Sequence, residues 1–207
     1  MNINKLLFVL YLIGAHVCCG ELLTPVGATA SSSASDTPPV NLINNSGLSL
    51  PISEASLHSN EDNTYWASSY SGGTGWLVLD LGSTWAVDGA ILWQYNRPNL
   101  GNLGVSDFDI LASTDMNNWT TVMSDAYLPR SQTDTFGGVQ ESDAFNFTST
   151  PARYLKLDIK DNHGSNALVA LSEVKFTGTA IPEPSSAILI LLTGGLIYFK
   201  TRILGGR

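Results

Sequence analysis

Two short stretches of this 207-residue chain carry side chains suited to holding a polyhydroxylated ligand. Gln94-Tyr95-Asn96-Arg97-Pro98-Asn99 brings an aromatic ring, amides and a guanidinium close together. An aromatic face suits the apolar side of a pyranose, and planar amide or guanidinium groups bond paired hydroxyls. Asp161-Asn162-His163-Gly164-Ser165-Asn166 supplies a second polar set. Tyr95, Asn96, Arg97, Asn162 and His163 are therefore the candidate ligand-binding residues. Asn, Gly and Asp also form turns, because they tolerate positive φ and bond their own backbone. That explanation covers Asn162 better than Arg97 or His163, which no turn requires. Tyr70 and Tyr127, in polar surroundings, are further candidates for exposed contacts.

Catalysis asks for a nucleophile with a base, paired carboxylates, or a metal with an open position. Beyond residue 20 the histidines are His58 and His163, with no Gly-x-Ser-x-Gly, no phosphate-cradling Gly motif and no His pair at metal spacing. Carboxylates are plentiful, but a glycosidase-like pair about 5–10 Å apart needs a cleft that one small sandwich hardly provides. The chain reads as a binding protein rather than an enzyme. Six Lys and Arg stand against 17 Asp and Glu between residues 21 and 180. Such an acidic body repels a phosphate backbone, so nucleic acid is excluded as a partner.

The elements that must position these residues are strands. Short apolar stretches alternate with Gly, Asn, Asp, Ser and Pro from residue 40 to 178 and lack a helical period. Strands are predicted at residues 76–81, 87–94, 107–113, 119–123, 144–147, 153–160 and 171–176. Leu155, Leu157 and Ile159 share one face while Lys156, Asp158 and Lys160 share the other, so one face packs inward and the other meets water. Phe108 with Ile110, and Val174 with Phe176, repeat the pattern, with Glu173 and Lys175 outward. The two cysteines, Cys18 and Cys19, lie near the N-terminus, so the sandwich is held by its core alone.

Five motifs in order then resemble a discoidin, or coagulation factor 5/8 type C, domain over residues 41–178. They are Tyr65-Trp66-Ala67-Ser68, Gly75 to Ser83, Ser106 to Asp115 with Trp119, Ala152 to Leu157, and Leu171 to Phe176. The resemblance implies an all-β, jelly-roll β-sandwich of the galactose-binding-like superfold, whose members bind carbohydrate, lipid headgroups or proteins through loops at one end. It also implies that Trp66 and Trp76 are core residues beneath those loops. No cofactor is required, although a structural calcium ion often braces the family's first loop. Here Ser59, Glu61 and Thr64 are the loop donors that correspond, with Glu173 as the distant carboxylate. Oxygen donors of this kind suit Ca²⁺. Ser59-Asn60 stands where the family has Asp-Gly.

The ends have their own logic. Met1 to Lys5 is polar and basic, and Leu6 to Ala15 is apolar, which is the pattern of a secretory signal over residues 1–20. Cys18 and Gly20 place small residues before a cut at Glu21, and acylation at Cys18 or Cys19 is the alternative. Residues 21–40, rich in Ser, Ala, Thr and Pro, read as a linker. At the other end, Pro182-Glu183-Pro184 precedes an apolar run over residues 187–199 and then Lys200, Arg202 and Arg207. Thirteen helical residues span only about 20 Å, short of the ~30 Å hydrocarbon core, so crossing needs thinning or snorkelling. The order of parts resembles the PEP-CTERM sorting tail. It implies a transmembrane helix at residues 187–199, a basic end held in the cytoplasm, and an exosortase of a Gram-negative inner membrane as processing partner.

The expectation is an exported, non-catalytic protein. It begins as a membrane-anchored precursor and ends at the cell surface or in the extracellular matrix, binding a glycan or exopolysaccharide. The alternatives are a structural or adhesive protein that binds other proteins and, further off, a glycan-active hydrolase.

Overall fold

The computed structural model describes residues 20–132 and 138–181. The expected signal up to residue 19, the Pro182-Glu183-Pro184 tripeptide and the apolar run 187–199 lie outside the described residues. Among the described residues no helix is long and apolar enough to cross a membrane. The chain there is all β, with short 3-10 turns at Pro39–Leu42 and Gly101–Leu103.

Ten strands follow in order: β1 (Glu21–Leu23), β2 (Gly27–Ala30), β3 (His58–Ser59), β4 (Trp66–Ala67) and β5 (Gly75–Gln94), then β6 (Val105–Ser113), β7 (Thr120–Tyr127), β8 (Val139–Gln140), β9 (Ser142–Asn162) and β10 (Ala170–Ala180). The main sheet runs β1-β10-β5-β9-β6-β7, with β2 added to β5 and β4 to β10. Strands β5 and β9 are antiparallel partners and long enough to serve both layers. The first half of β5 pairs with β2 and the second half of β9, and its second half with β10 and the first half of β9. Strands change sheets at such corners through bulges and bends.

The bend lies where the β5–β9 register shifts between Asp80 and Trp85. Gly82 takes φ +80 there, a conformation glycine adopts without a Cβ penalty. Arg153 on β9 clamps the corner with two bonds to Asp80, of 2.9 and 3.0 Å. These bonds hold the Asp80 carboxyl below the usual carboxylate range. The predicted strands 76–81 and 87–94 are thus one bent strand, as are 144–147 and 153–160. Gly82-Ser83-Thr84 resembles a turn, yet the chain pairs with β9 on either side of it, at Asp80 and at Trp85.

The core lies between the halves. Leu77, Leu79, Leu155, Leu157 and Phe108 from one layer meet Val87, Leu92, Val174 and Phe176 from the other. The predicted parity of β6 and β9 matches this burial. Three expectations need correction.

The stretch 21–40 is not a linker. β1 pairs with β10 from Glu21↔Gly178, and β2 pairs with β5 from Gly27↔Asp80. β2 runs beside β5 in the sheet, and the buried Trp66 indole donates to Ser32 O and Ser33 Oγ, both at 3.1 Å. Backbone ladders to distant strands leave no mark in local composition.

Trp66 is buried as expected, but Trp76 remains 37% exposed. Both parities of Trp76-Leu77-Val78-Leu79 are apolar, and Leu77 and Leu79 take the inner face. Trp76 therefore points outward, opposite Asp158.

Glu173 and Lys175 do not meet water either. The segment between the Pro39–Leu42 turn and β3 folds over the outer face of β5 and β10, where Leu48, Ile91 and Trp93 form a second apolar cluster. Beneath this cover both charged side chains are fully buried.

Candidate functional site

Arg97 follows the end of β5, and two chemically unlike neighbours fix its position. Its guanidinium forms an ion pair with Asp62, from the loop between β3 and β4. It also lies over the ring of Tyr65, with Cζ 6.0 Å from the centroid, at the outer limit of a cation–π contact. Tyr65 is in turn braced edge-on by Tyr95, centroids 4.9 Å apart. Tyr95 is buried, so it acts from below as a support. Burial, together with Tyr65, pushes its phenol above the usual range.

Two clefts border this group. The larger, about 690 Å³, is lined by Asp36, Asn41, Asp62, Asn63 and Tyr65 among others. The smaller, about 270 Å³, is lined by Asn60, Glu61, Asp62, Arg97 and Pro98. Asp62 belongs to both. The arrangement sets a tyrosine ring beside amide, carboxylate and guanidinium groups, the combination that hydroxyl-rich rings require.

The other candidates are placed differently. Asn96 is buried, its amide donating to His58 O at 3.1 Å and accepting from Ser172 Oγ at 3.5 Å. Asn162 is buried as well, and it organises its own loop. Its amide donates to Ser165 O and Leu168 O, both at 2.9 Å, while its oxygen accepts from the Gly164 and Ser165 N–H groups. The turn explanation therefore accounts for Asn162. His163 is half-buried, with Nε2 3.0 Å from Leu128 O and its ring edge-on to Tyr127. Tyr127 and Tyr70 are exposed.

The structure thus gathers Arg97 with Tyr95, and gathers Asn162 and His163 in a separate loop. Sequence reasoning did not assign Asp62 or Tyr65 to the site. The available signal was the need of an arginine in an acidic chain for a nearby carboxylate.

The residues expected to hold calcium occupy a different setting. Glu173 Oε1 accepts from Lys175 Nζ and the Asn45 N–H, both at 3.3 Å. The ammonium also donates to Thr24 Oγ1, at 3.1 Å, and to Asn45 Oδ1. Thr64 directs its hydroxyl to Glu61 O at 2.8 Å, and the Glu61 side chain is exposed. Ser59 Oγ and Glu173 Oε2 are buried without a hydrogen-bond partner among the described residues, as is the nearby His58 Nε2. Two open oxygens would suit a hard cation, but the charges do not. The single buried carboxylate already faces an ammonium, whereas calcium sites gain affinity from the number of charged ligands. Among the described residues no group of three or more His, Cys, Asp or Glu side chains gathers. The donor set therefore does not fit a divalent ion. Burial pushes the Glu173 carboxyl up to about 8, with Lys175 opposing the shift. Burial likewise lowers His58.

A family model described as F5/8 type C domain matches residues 27–174. No curated protein matches the chain. Among solved structures, the module CpGH89CBM32-5 of Clostridium perfringens, in complex with GalNAc-β-1,3-galactose, is 19% identical with a TM-score of 0.53, over 72% of this chain and 93% of that one. The family 32 carbohydrate-binding module of C. perfringens NanJ, in complex with galactose, is 14% identical with a TM-score of 0.52, over 73% and 92%. The corresponding module of AlyQ, in complex with 4,5-unsaturated mannuronic acid, is 24% identical with a TM-score of 0.51, over 75% and 97%. These likenesses establish a shared fold.

Proposed function

The chain belongs to the F5/8 type C domain family, and from that premise we propose that it is a non-catalytic glycan-binding protein whose sugar site is the Arg97 loop end. The observation that carries this is the Arg97–Asp62 pair beside the Tyr65 ring, with Asp62 lining both of two open clefts, Tyr65 the larger and Arg97 the smaller. A sugar in the larger cleft meets the Tyr65 ring with amide and carboxylate groups, and one in the smaller meets the planar guanidinium. Glycan-array screening followed by calorimetry, with Arg97→Ala alongside, tests the reading. Loss of a wild-type glycan signal in the variant supports it. Absence of glycan binding by the wild type overturns it in favour of a structural or adhesive protein that contacts other proteins.

The delivery of the domain is part of the same proposal. The order of basic start, apolar run, acidic body, Pro182-Glu183-Pro184, apolar run and basic end supports export through the inner membrane, processing by exosortase-type machinery and display outside the cell. Glu183→Ala should leave unprocessed precursor in the inner membrane. Normal processing of that variant would overturn the sorting role.

The carboxylate expected to hold calcium, Glu173, is in this reading engaged by the Lys175 ammonium instead of a calcium ion. That internal cation links β10 to Asn45 and to Thr24 beside β1.

A further inference from the structure

Among the described residues that line the two clefts Arg97 is the sole cation, and it is already paired. Its partner is the more exposed of the two, with side-chain exposures of 74% for Asp62 and 28% for Arg97. Asp36 stands in the larger cleft and Glu61 in the smaller. A ligand entering either one meets more carboxylate than guanidinium.

We propose that Asp62 is a specificity-determining residue of this site, which by holding Arg97 in an ion pair selects uncharged glycans and rejects those carrying uronic carboxylates. The inference rests on the glycan reading above. A guanidinium presents a planar fork of five N–H donors that matches a carboxylate edge to edge. An unpaired Arg97 would therefore favour an acidic sugar. With Asp62 in place, a uronate has to displace a carboxylate that is already seated, and it meets the charge of Glu61 in the smaller cleft as it does so.

A neutral sugar faces neither cost. The pair meets through Nη1 and Oδ1, so other guanidinium N–H groups and Asp62 Oδ2 lie outside that contact. A donor beside an acceptor suits vicinal hydroxyls, each of which both donates and accepts. The AlyQ module solved with an unsaturated mannuronic acid has this fold, so the fold does not set the charge of the ligand. The choice rests on side chains at the loop tips.

The test pairs neutral hexoses with their uronates, galactose with galacturonate, glucose with glucuronate and mannose with mannuronate, titrated as short oligomers into the purified chain by calorimetry. The wild type should prefer the neutral member of at least one pair by about tenfold or more. Asp62→Asn, at an exposed position with little effect on folding, should bring the uronate to within about threefold of the neutral sugar or beyond it. That gain should weaken as salt rises from about 0.05 to 0.5 M, while neutral binding holds. Glu61→Gln removes a charge without releasing Arg97, and should change the ratio by less than about threefold. Equal wild-type binding of both members, or an Asp62→Asn ratio that stays put while neutral sugars still bind, overturns the inference and leaves the glycan reading standing. Failure of the wild type and Asp62→Asn to bind any sugar sinks both.

Discussion

The molecule contains two carboxylate–cation pairs whose surroundings could hardly differ more. Glu173 and Lys175 are both fully buried beneath the segment that precedes β3, whereas Asp62 and Arg97 meet at a loop tip with Asp62 largely in water. In the buried pair the ammonium is shared among β10, Asn45 and Thr24, so it ties together segments far apart in sequence. In the exposed pair the same chemistry adds little to folding, because water competes for both charges. It stays adjustable by a ligand for the same reason. Burial decides whether an ion pair is fixed into the architecture or stays open to water.

The sharpest way to break this contrast is Lys175→Met. It removes the donor shared by Glu173, Asn45 and Thr24, and breaking a buried pair in this way costs about 3–5 kcal/mol. Urea unfolding of the variant measures the loss, and a value below about 1 kcal/mol would show that the buried pair is no more structural than a surface one.

The pH dependence of stability sharpens the same point. The folded-state value of Glu173, about 8, lies above the ordinary 4.5. The folded state therefore holds the proton longer, and this group's contribution to stability falls as pH rises from about 4.5 to about 8. His58, lowered by burial, acts with the opposite sign, its contribution being lost as pH falls through the ordinary histidine range. The comparison must therefore be wild type against Glu173→Gln at pH 5 and about 8.5. The variant should show the smaller loss of urea midpoint on going to the higher pH, and parallel profiles would refute the assignment.

Arg97→Ala probes the exposed pair. Glycan affinity should drop about tenfold or more, with unfolding free energy unchanged to within about 0.5 kcal/mol. A large loss of stability would mean that the loop-tip pair is architectural after all.

The smallest expected effect is none. Millimolar calcium against EDTA should leave the melting temperature unchanged, since the Lys175 ammonium already occupies the side of Glu173 that faces Asn45. A calcium-dependent rise in melting temperature would place a divalent ion in the first loop and overturn the internal brace.

Much of the β framework was legible because strand alternation is a local property. Leu155, Leu157 and Ile159 could be assigned to the core from their spacing, and they are buried. Trp76 could not be oriented, since apolar residues flank it in both parities. Residues 21–40 looked like a linker because Ser, Ala and Thr carry no periodic signal, and their strands exist only through pairing with β10 and β5. Arg97 could be singled out as a residue that no turn needs, but its partners Asp62 and Tyr65 lie over thirty positions away. Asn96 and Tyr95, next to it in sequence, proved to be buried supports.

By itself, then, the sequence determined the class of fold, the absence of disulfides between strands and the acidity of the body, because composition and a two-residue period are fully present in the linear chain. Tertiary structure alone decided which charges are buried and which are displayed, and which loops share a cleft. Those outcomes depend on the β5 and β9 bends and on the segment that covers β10, which bring distant residues into hydrogen-bonding range and remove some of them from water.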